Sequence, residues 1–265
     1  MFRAKLTNTD LLITRWLTGV ESTMQVVKID GLAPVAAQVN TSSVVGMDGE
    51  RFMSSKLEPR NIVITLRLNE AESARLDLEY CFPTKAPVQF YYDIDDRIVI
   101  IDGYIETFEC DIFSKEEQAQ ISIICPDPYF RSNQSDGISV TSAGTAFPEL
   151  TTIRYGIEIS ATIGGANVTS LTFSNDSTGE SITIAYAFQA HDVLRINTVK
   201  GKRSVTLTRN GANVNVFGGI SNDSTFFDVW YQHGTISYLV NGAADSTQRP
   251  AVSVTAWYRM PYAGV

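Results

Sequence analysis

The sequence is short of the side chains that usually carry chemistry. It has 2 His and 3 Cys in 265 residues. Cys81, Cys110 and Cys125 are odd in number and widely spaced, which argues against a disulfide framework and against a zinc site. Each falls in an apolar-periodic segment, so they are expected to be small buried hydrophobes. A reducing compartment of assembly fits that usage. Basic charge is also scarce. With 7 Lys and a formal net charge of −8, the chain is a poor generic nucleic-acid binder, because phosphate neutralisation needs clustered Lys and Arg. The densest basic group, Lys200, Lys202 and Arg203, flanks a glycine and reads as a solvated loop. No apolar run approaches the ~18 residues of a membrane span. Met1 to Asp10 lead into no apolar core, so no signal peptide is expected.

Catalytic patterns are missing as well. There is no G-x-S-x-G, no H-E-x-x-H and no Gly-rich phosphate loop. His191 precedes Asp192, an acid that could orient it as a base, but no nucleophile in a strained elbow is near. His233 precedes Gly234 between two strand-like runs and reads as a turn residue. Asp93, Asp95, Asp96 and Asp102 are the densest carboxylates. A calcium loop starting at Asp93 would have Arg97 at its fifth place and Tyr104 at its twelfth, where oxygen ligands are needed. The acidic run is therefore expected to be a turn between strands. Asn-x-Ser/Thr matches at Asn40, Asn167, Asn175 and Asn222 are expected by chance in so Ser/Thr-rich a chain. A glycosidase would need paired carboxylates facing one cleft, and nothing nominates a pair. The expectation is a protein that is not an enzyme, with no catalytic, cofactor-binding or metal-binding residues and no cofactor.

What is present is unevenly spread. Residues 1–130 hold 12 Lys+Arg and 20 Asp+Glu, and residues 131–265 hold 9 and 9, so the whole net charge belongs to the first half. Ser+Thr runs the other way, with 17 in the first 130 residues and 31 in the last 135. Two composition regimes predict two domains.

Most of the chain reads as strand. In the second half Ile157, Ile159, Ala161 and Ile163 alternate with polar residues. So do Ile182, Ile184, Tyr186 and Phe188, and then Val252, Val254 and Ala256. Asn210-Gly211 is the preferred centre of a type I′ turn. It sets Leu207 opposite Val214 and Val205 opposite Val216, all on one face. Many short strands and frequent turns without a helix suggest a β-sandwich or jelly roll. In the first half Ile62, Ile64, Leu66 and Leu68 alternate, as do Val88, Phe90, Tyr92 and Ile94. Val99 to Ile105 and Ile121 to Cys125 complete the set. One helix is predicted, with Asn69 and Glu72 placed as a capping box. Ala71, Ala74, Leu78 and Cys81 lie on its buried stripe, and Pro83 ends it.

Trp230 with Tyr231, and Trp257 with Tyr258, are neighbours on strands, so each pair should put one ring inward and one outward. An outward ring reads as a contact or as cover, with a sugar-stacking platform as the alternative. The stretch from Arg131 to Leu150 lacks periodicity and is rich in Ser, Gly and Thr. The boundaries expected are a first domain over 1–135, a linker over 136–150 and a second domain over 151–265.

Residues 24–130 carry a recognisable order of short motifs. Ile29-Asp30-Gly31-Leu32-Ala33-Pro34 is followed by Val45 to Phe52, with Gly46 and Gly49, and by Arg60-Asn61-Ile62. The helix ending in Phe82-Pro83, the strand Gly103-Tyr104-Ile105-Glu106 and Cys125-Pro126-Asp127-Pro128-Tyr129-Phe130 come after. This order resembles the distal tail protein (Dit) family of long-tailed bacteriophages. The resemblance implies an all-β protein: an N-terminal β-sandwich with one helix, the belt domain, and a galectin-like C-terminal sandwich. It implies a hexameric ring at the tail tip, joining the tail tube to the tail-associated lysin or receptor-binding proteins around a DNA channel. It implies residence in the virion after assembly in the host cytoplasm. Galectin sugar-binding motifs are absent. If the first half lines the bore, its carboxylates would repel passing DNA. The alternative function is a module that binds a cell-surface saccharide through the C-terminal sandwich.

Overall fold

A computed structural model describes the chain except residues 1, 20–23, 44, 47, 70, 95–96, 112–116, 149–150, 166–167 and 242–251. The chain forms two units. Both are built almost entirely of antiparallel strands, with one α-helix among the described residues.

The first unit comprises Met1–Asn133 and Tyr262–Val265. Its strands are β1 (Arg3–Asn8), β2 (Ile13–Trp16), β3 (Met24–Asp30), β4 (Ala37–Ser43), β5 (Glu50–Leu57) and β6 (Arg60–Leu68), then helix α1 (Ala71–Cys81). After the helix come β7 (Pro87–Ile94), β8 (Arg97–Asp111), β9 (Gln118–Cys125) and β10 (Phe130–Ser132). One sheet runs β2-β1-β7-β8-β9-β6-β3. The long β8 serves both halves of that sheet. Its residues 97–104 pair with β7, and its residues 104–111 pair with β9. A register shift between Ile105 and Thr107 leaves Glu106 over, the kind of bulge that bends a strand. Side chains from both halves meet in one core, with Leu6 and Phe90 from one half, Ile62, Ile64, Ile121 and Ile123 from the other.

The alternating strands lie as the period-two pattern requires: Ile62, Ile64, Leu66 and Leu68 are buried on one face of β6. Helix α1 adds Ala74, Leu78 and Cys81 to the core. Asn8 closes the helix end by donating to the Cys81 carbonyl at 2.8 Å, while its Oδ1 accepts from the amides of Asp10 and Leu11. Arg15 clamps Asp77 of the helix through two bonds of 2.7 Å. Cys81 and Cys125 are buried and Cys110 is half-buried, all as free thiols. Burial pushes the Cys125 thiol up to about 12, so it behaves as a packed hydrophobe rather than a nucleophile.

The second unit is Gln134–Pro261. Its strands are β11 (Asp136–Val140), β12 (Thr145–Ala146), β13 (Glu158–Ile163), β14 (Val168–Asn175), β15 (Glu180–Phe188), β16 (Val193–Asn197), β17 (Ser204–Arg209) and β18 (Ala212–Asn215). β19 (Thr235–Asn241) and β20 (Val252–Tyr258) follow, and β21 (Pro261–Tyr262) takes the chain back to β10 of the first unit. A six-stranded sheet, β11-β20-β13-β16-β17-β18, and a four-stranded sheet, β12-β19-β14-β15, make a two-sheet sandwich. Ile157, Ile159, Ala161 and Ile163 are fully buried, as are Leu171, Phe173, Ile182 and Ile184. The hairpin register read from Asn210-Gly211 is the one observed, with Leu207 facing Val214 and Arg209 facing Ala212, and the ladder ends at Thr206 and Asn215, one step short of the expected Val205–Val216 pair. Both turn residues have positive φ, 50° and 79°, as a type I′ turn demands.

Two features differ from the sequence expectation. The segment 136–150, expected as a linker, carries β11 and β12. β11 is an edge strand paired only to β20 within its sheet, and an edge with Gly137 and Ser139 on its outer side shows little periodicity. The last four residues, expected in the second domain, count with the first unit.

Candidate assembly surface

The candidates for chemistry do not converge. His191 sits in a turn with φ 70°. Asp192 is buried and turned to Arg209, which donates to it at 2.9 and 2.6 Å, while the amide of Gln189 donates at 2.8 Å. These bonds hold the Asp192 carboxyl below the usual carboxylate range, and they occupy the acid that would have oriented His191. His233 packs its ring on Trp230 at 4.5 Å, and Arg154 lies 4.2 Å from the same indole. Asp93 lies within β7 opposite Ile98, and Ile94 pairs with Arg97 across the acidic turn; Asp95 and Asp96 lie outside the described residues. Asp102 accepts from Gln89 at 2.9 Å. Among the described residues no group of three or more His, Cys, Asp or Glu is placed to hold a metal ion. No described helix is long and apolar enough to cross a membrane. Lys200, Lys202 and Arg203 lie exposed around a turn.

One aromatic pair alternates as expected: Tyr258 is buried in the core and Trp257 faces out. In the other, Tyr231 is exposed and Trp230 is half-buried rather than in the core. An open depression of about 390 Å³ over β8 and β9 is lined by Thr65, Glu109, Cys110, Asp111, Gln118, Ala119 and Gln120. It is too shallow and too polar to resemble a substrate cleft.

The geometry instead favours surfaces for association. Among the described residues β4 and β5 pair only with each other and form a two-stranded sheet of their own. Nearly every residue of this arm is exposed. Its apolar side chains are exposed too: Val39 is 54% exposed, and Phe52 and Met53 are each 61% exposed. An isolated hairpin is marginal in water, and side chains of this size are normally covered. Among the described residues, β2 and β3 are the two ends of the first unit's main strand path. Leu11 and Leu12 stand exposed at the turn that leads into β2, with Leu12 at φ 56°.

The arm is anchored at a single buried cation. Arg60 has no exposed surface. Its guanidinium donates to the carbonyls of Gly31, Ala33 (2.7 Å), Pro128 (2.8 Å) and Ala263. It also lies 4.5 Å from the Phe130 ring. Three chain segments, at residues 31–33, 128 and 263, are thereby tied to the start of β6, directly after the arm. Gly31 has φ +86°, and a Cβ there would stand 2.0 Å from the Asn61 carbonyl oxygen, so no other residue fits. Val265 donates its amide to Leu32 at 3.0 Å, which closes the C-terminal tail over the same corner. The sequence signal for this hub is Arg60 itself. It is in phase with Ile62, Ile64 and Leu66, and period two places it on the buried face.

Comparison with known proteins now bears on the chain. Residues 151–257 match the family model described as siphovirus-type tail component, C-terminal domain. Over those residues the chain is similar to the siphovirus-type tail component family. The resemblance to the distal tail family drawn from the motifs is borne out by that match, although the matching stretch lies in the half whose sequence resembled the family least. The solved Dit protein (gp 19.1) of phage SPP1 is similar over 99% of both chains, with a TM-score of 0.72 and 13% identity. A chain of the phage P2 baseplate, in its activated conformation with calcium, is similar over 100% of both chains, with a TM-score of 0.58 and 9% identity. The strontium form of that baseplate gives 0.56 at 10% identity over 97% of this chain and 98% of that one. At such identities the likeness is one of fold. No curated protein sequence matches the chain. The similarity to the tail component family is thus carried by sequence in residues 151–257, whereas for the first unit the likeness is one of fold. The first-half motifs converge in the structure: Gly31, Arg60 and Pro128 belong to three of them and meet at one buried guanidinium.

Proposed function

We propose that the protein is a structural hub of a phage tail tip, and that six copies join through the first unit into a ring. The observation that carries this reading is the β4–β5 arm, a separate two-stranded sheet with exposed Val39, Phe52 and Met53. An arm that leaves one copy and seats on a different surface of the next makes a heterologous contact, and such contacts close into rings. Burying Phe52, Met53 and Val39 in that contact contributes about 1.5–3 kcal/mol for each side chain fully covered. The solved SPP1 Dit protein is described as a paradigm of hub adsorption apparatus in Gram-positive-infecting phages, and the shared fold supports a hub role. The number six rests on the family resemblance.

On this reading the ring joins the tail tube to the tail-associated lysin or receptor-binding proteins, and DNA passes through its bore without being bound. The net charge of −8 in residues 1–130 suits such a passage, since like charge prevents sticking. The galectin-like second domain stands outside the ring, the protein resides in the virion, and assembly takes place in the host cytoplasm. The reading involves no catalysis. Electron microscopy of the purified full chain tests it. Six-fold rings with an open bore are expected; particles without rotational symmetry at every concentration tried would overturn it.

A further inference from the structure

The outer face of the six-stranded sheet carries a set of side chains that the hub role does not use. Trp257 of β20 points outward and is 43% exposed. Its indole lies flat on the sheet, over its cross-strand neighbour: a Cβ on Gly137 would stand 2.7–2.9 Å from three atoms of the six-membered ring. Glycine at 137 is what lets the ring lie down. One face of the indole therefore rests on β11, and the sheet supports it as a level platform.

The ladder then fixes what stands beside that platform. Trp257 pairs with Gly137 on one side and with Glu158 of β13 on the other. Glu158 pairs in turn with Asn197 of β16. Residues paired across a ladder share a face, so the row reads Gly137, Trp257, Glu158, Asn197. In the next row of the same face Ser160 pairs with Arg195, and Arg195 with Thr206. Glu158, Arg195 and Thr206 are exposed. Among the described residues neither Glu158 nor Arg195 has a side-chain hydrogen bond or ion pair. Asn197 spends its Oδ1 on the amide of Val199 at 2.9 Å, which fixes the amide group.

We propose that this face binds a neutral oligosaccharide, with one sugar ring stacked on Trp257 and the next held by Glu158, Asn197 and Arg195. The chemistry selects that class. A level aromatic ring suits the C–H face of a pyranose. A carboxylate, a guanidinium and an amide are planar groups that each engage two neighbouring hydroxyls. Glu158 and Arg195 cancel in charge, which favours an uncharged polyol over a phosphate polymer or a cation. The row from β11 to β16 spans three strand spacings, about 14 Å, so the ligand is two to three sugar units long. This site belongs to the second unit alone. Its success or failure does not depend on whether the first unit builds a ring, and the two readings fail separately.

The test uses the full chain, titrated with lactose, maltotriose and chitotriose and with the corresponding monosaccharides. Saturation-transfer NMR and tryptophan fluorescence report binding. At least one of the three oligosaccharides should saturate, with its monosaccharide weaker by roughly tenfold. Trp257→Ala should abolish binding. Because that change also uncovers Gly137, Glu158→Gln and Arg195→Gln provide the decisive arm: neither side chain has an internal partner, so the fold is kept. Each should weaken binding roughly tenfold, the worth of a charged hydrogen bond. Trp230→Phe should leave binding unchanged. Absence of saturable binding by all three up to about 50 mM, or binding indifferent to Glu158→Gln and Arg195→Gln, would overturn the proposal.

Discussion

The two units solve the same all-β problem in opposite ways. The second is self-sufficient: two sheets face each other, the centres of their inner rows are buried, and its composition is neutral and Ser/Thr-rich. The first is acidic and leaves apolar side chains on an arm that, among the described residues, pairs with no other strand. It also needs the far end of the chain, because the carbonyl of Ala263 and the amide of Val265 complete its corner. The difference teaches where each unit meets its requirements. The second closes its sheets on themselves. The first is finished partly by residues 262–265 and, on the proposed reading, partly by its neighbours.

The contrast can be broken most severely at Arg60. Arg60→Ala takes the shared donor from four carbonyls and opens a cavity where the buried guanidinium stood, and is expected to cost the first unit about 4 kcal/mol or more. Calorimetry should show its transition lowered or lost while that of the second unit stays. Gly31→Ala should act nearly as strongly, about 3 kcal/mol or more, from the backbone clash and the positive φ together. Removal of residues 262–265 should lower the same transition by less, because it takes away one of the four acceptors of Arg60 and the Leu32 bond. Equal effects on both transitions would contradict the separation of the units.

Two smaller tests act on the second unit. Asp192 is held below the usual carboxylate range by Arg209. Its folded pKa is lowered, so its stabilisation is present above the unfolded value, about pH 4, and is lost as pH falls through the folded value. Asp192→Asn should lower the melting temperature at pH 7 and flatten the acid limb of the second transition only. Gly211→Ala, at φ +79°, should cost about 1 kcal/mol, since Ala there is strained but meets no neighbour.

Legibility in the sequence followed the same divide. The second unit could be read to the residue at Asn210-Gly211, because a two-residue turn and a strict period of two leave one register. Its edge strand β11 was hidden, since an edge needs only Ile138 and Val140 on its inner side. In the first unit the alternating strands and the helix stripe were plain. The β4–β5 arm was not, because an exposed hairpin has no buried face to impose a pattern on residues such as Gln38-Val39-Asn40. Arg60 shows in the sequence as part of a motif and by its phase with Ile62 and Ile64. Its role depends on carbonyls of residues 33, 128 and 263, which sequence separation conceals. The row of Trp257, Glu158 and Asn197 likewise draws on three strands whose pairing no single segment reveals.

The central claim is that the exposed arm of the first unit holds copies of this chain in a ring. The most direct measurement is the solution mass of the full chain by light scattering, beside the double variant Phe52→Ser, Met53→Ser. Both side chains are exposed in the single chain, so the variant keeps its fold and both calorimetric transitions. The account predicts six chains for the parent protein and a collapse to single chains for the variant. A parent that stays monomeric at every concentration, or a variant that remains hexameric, would contradict it.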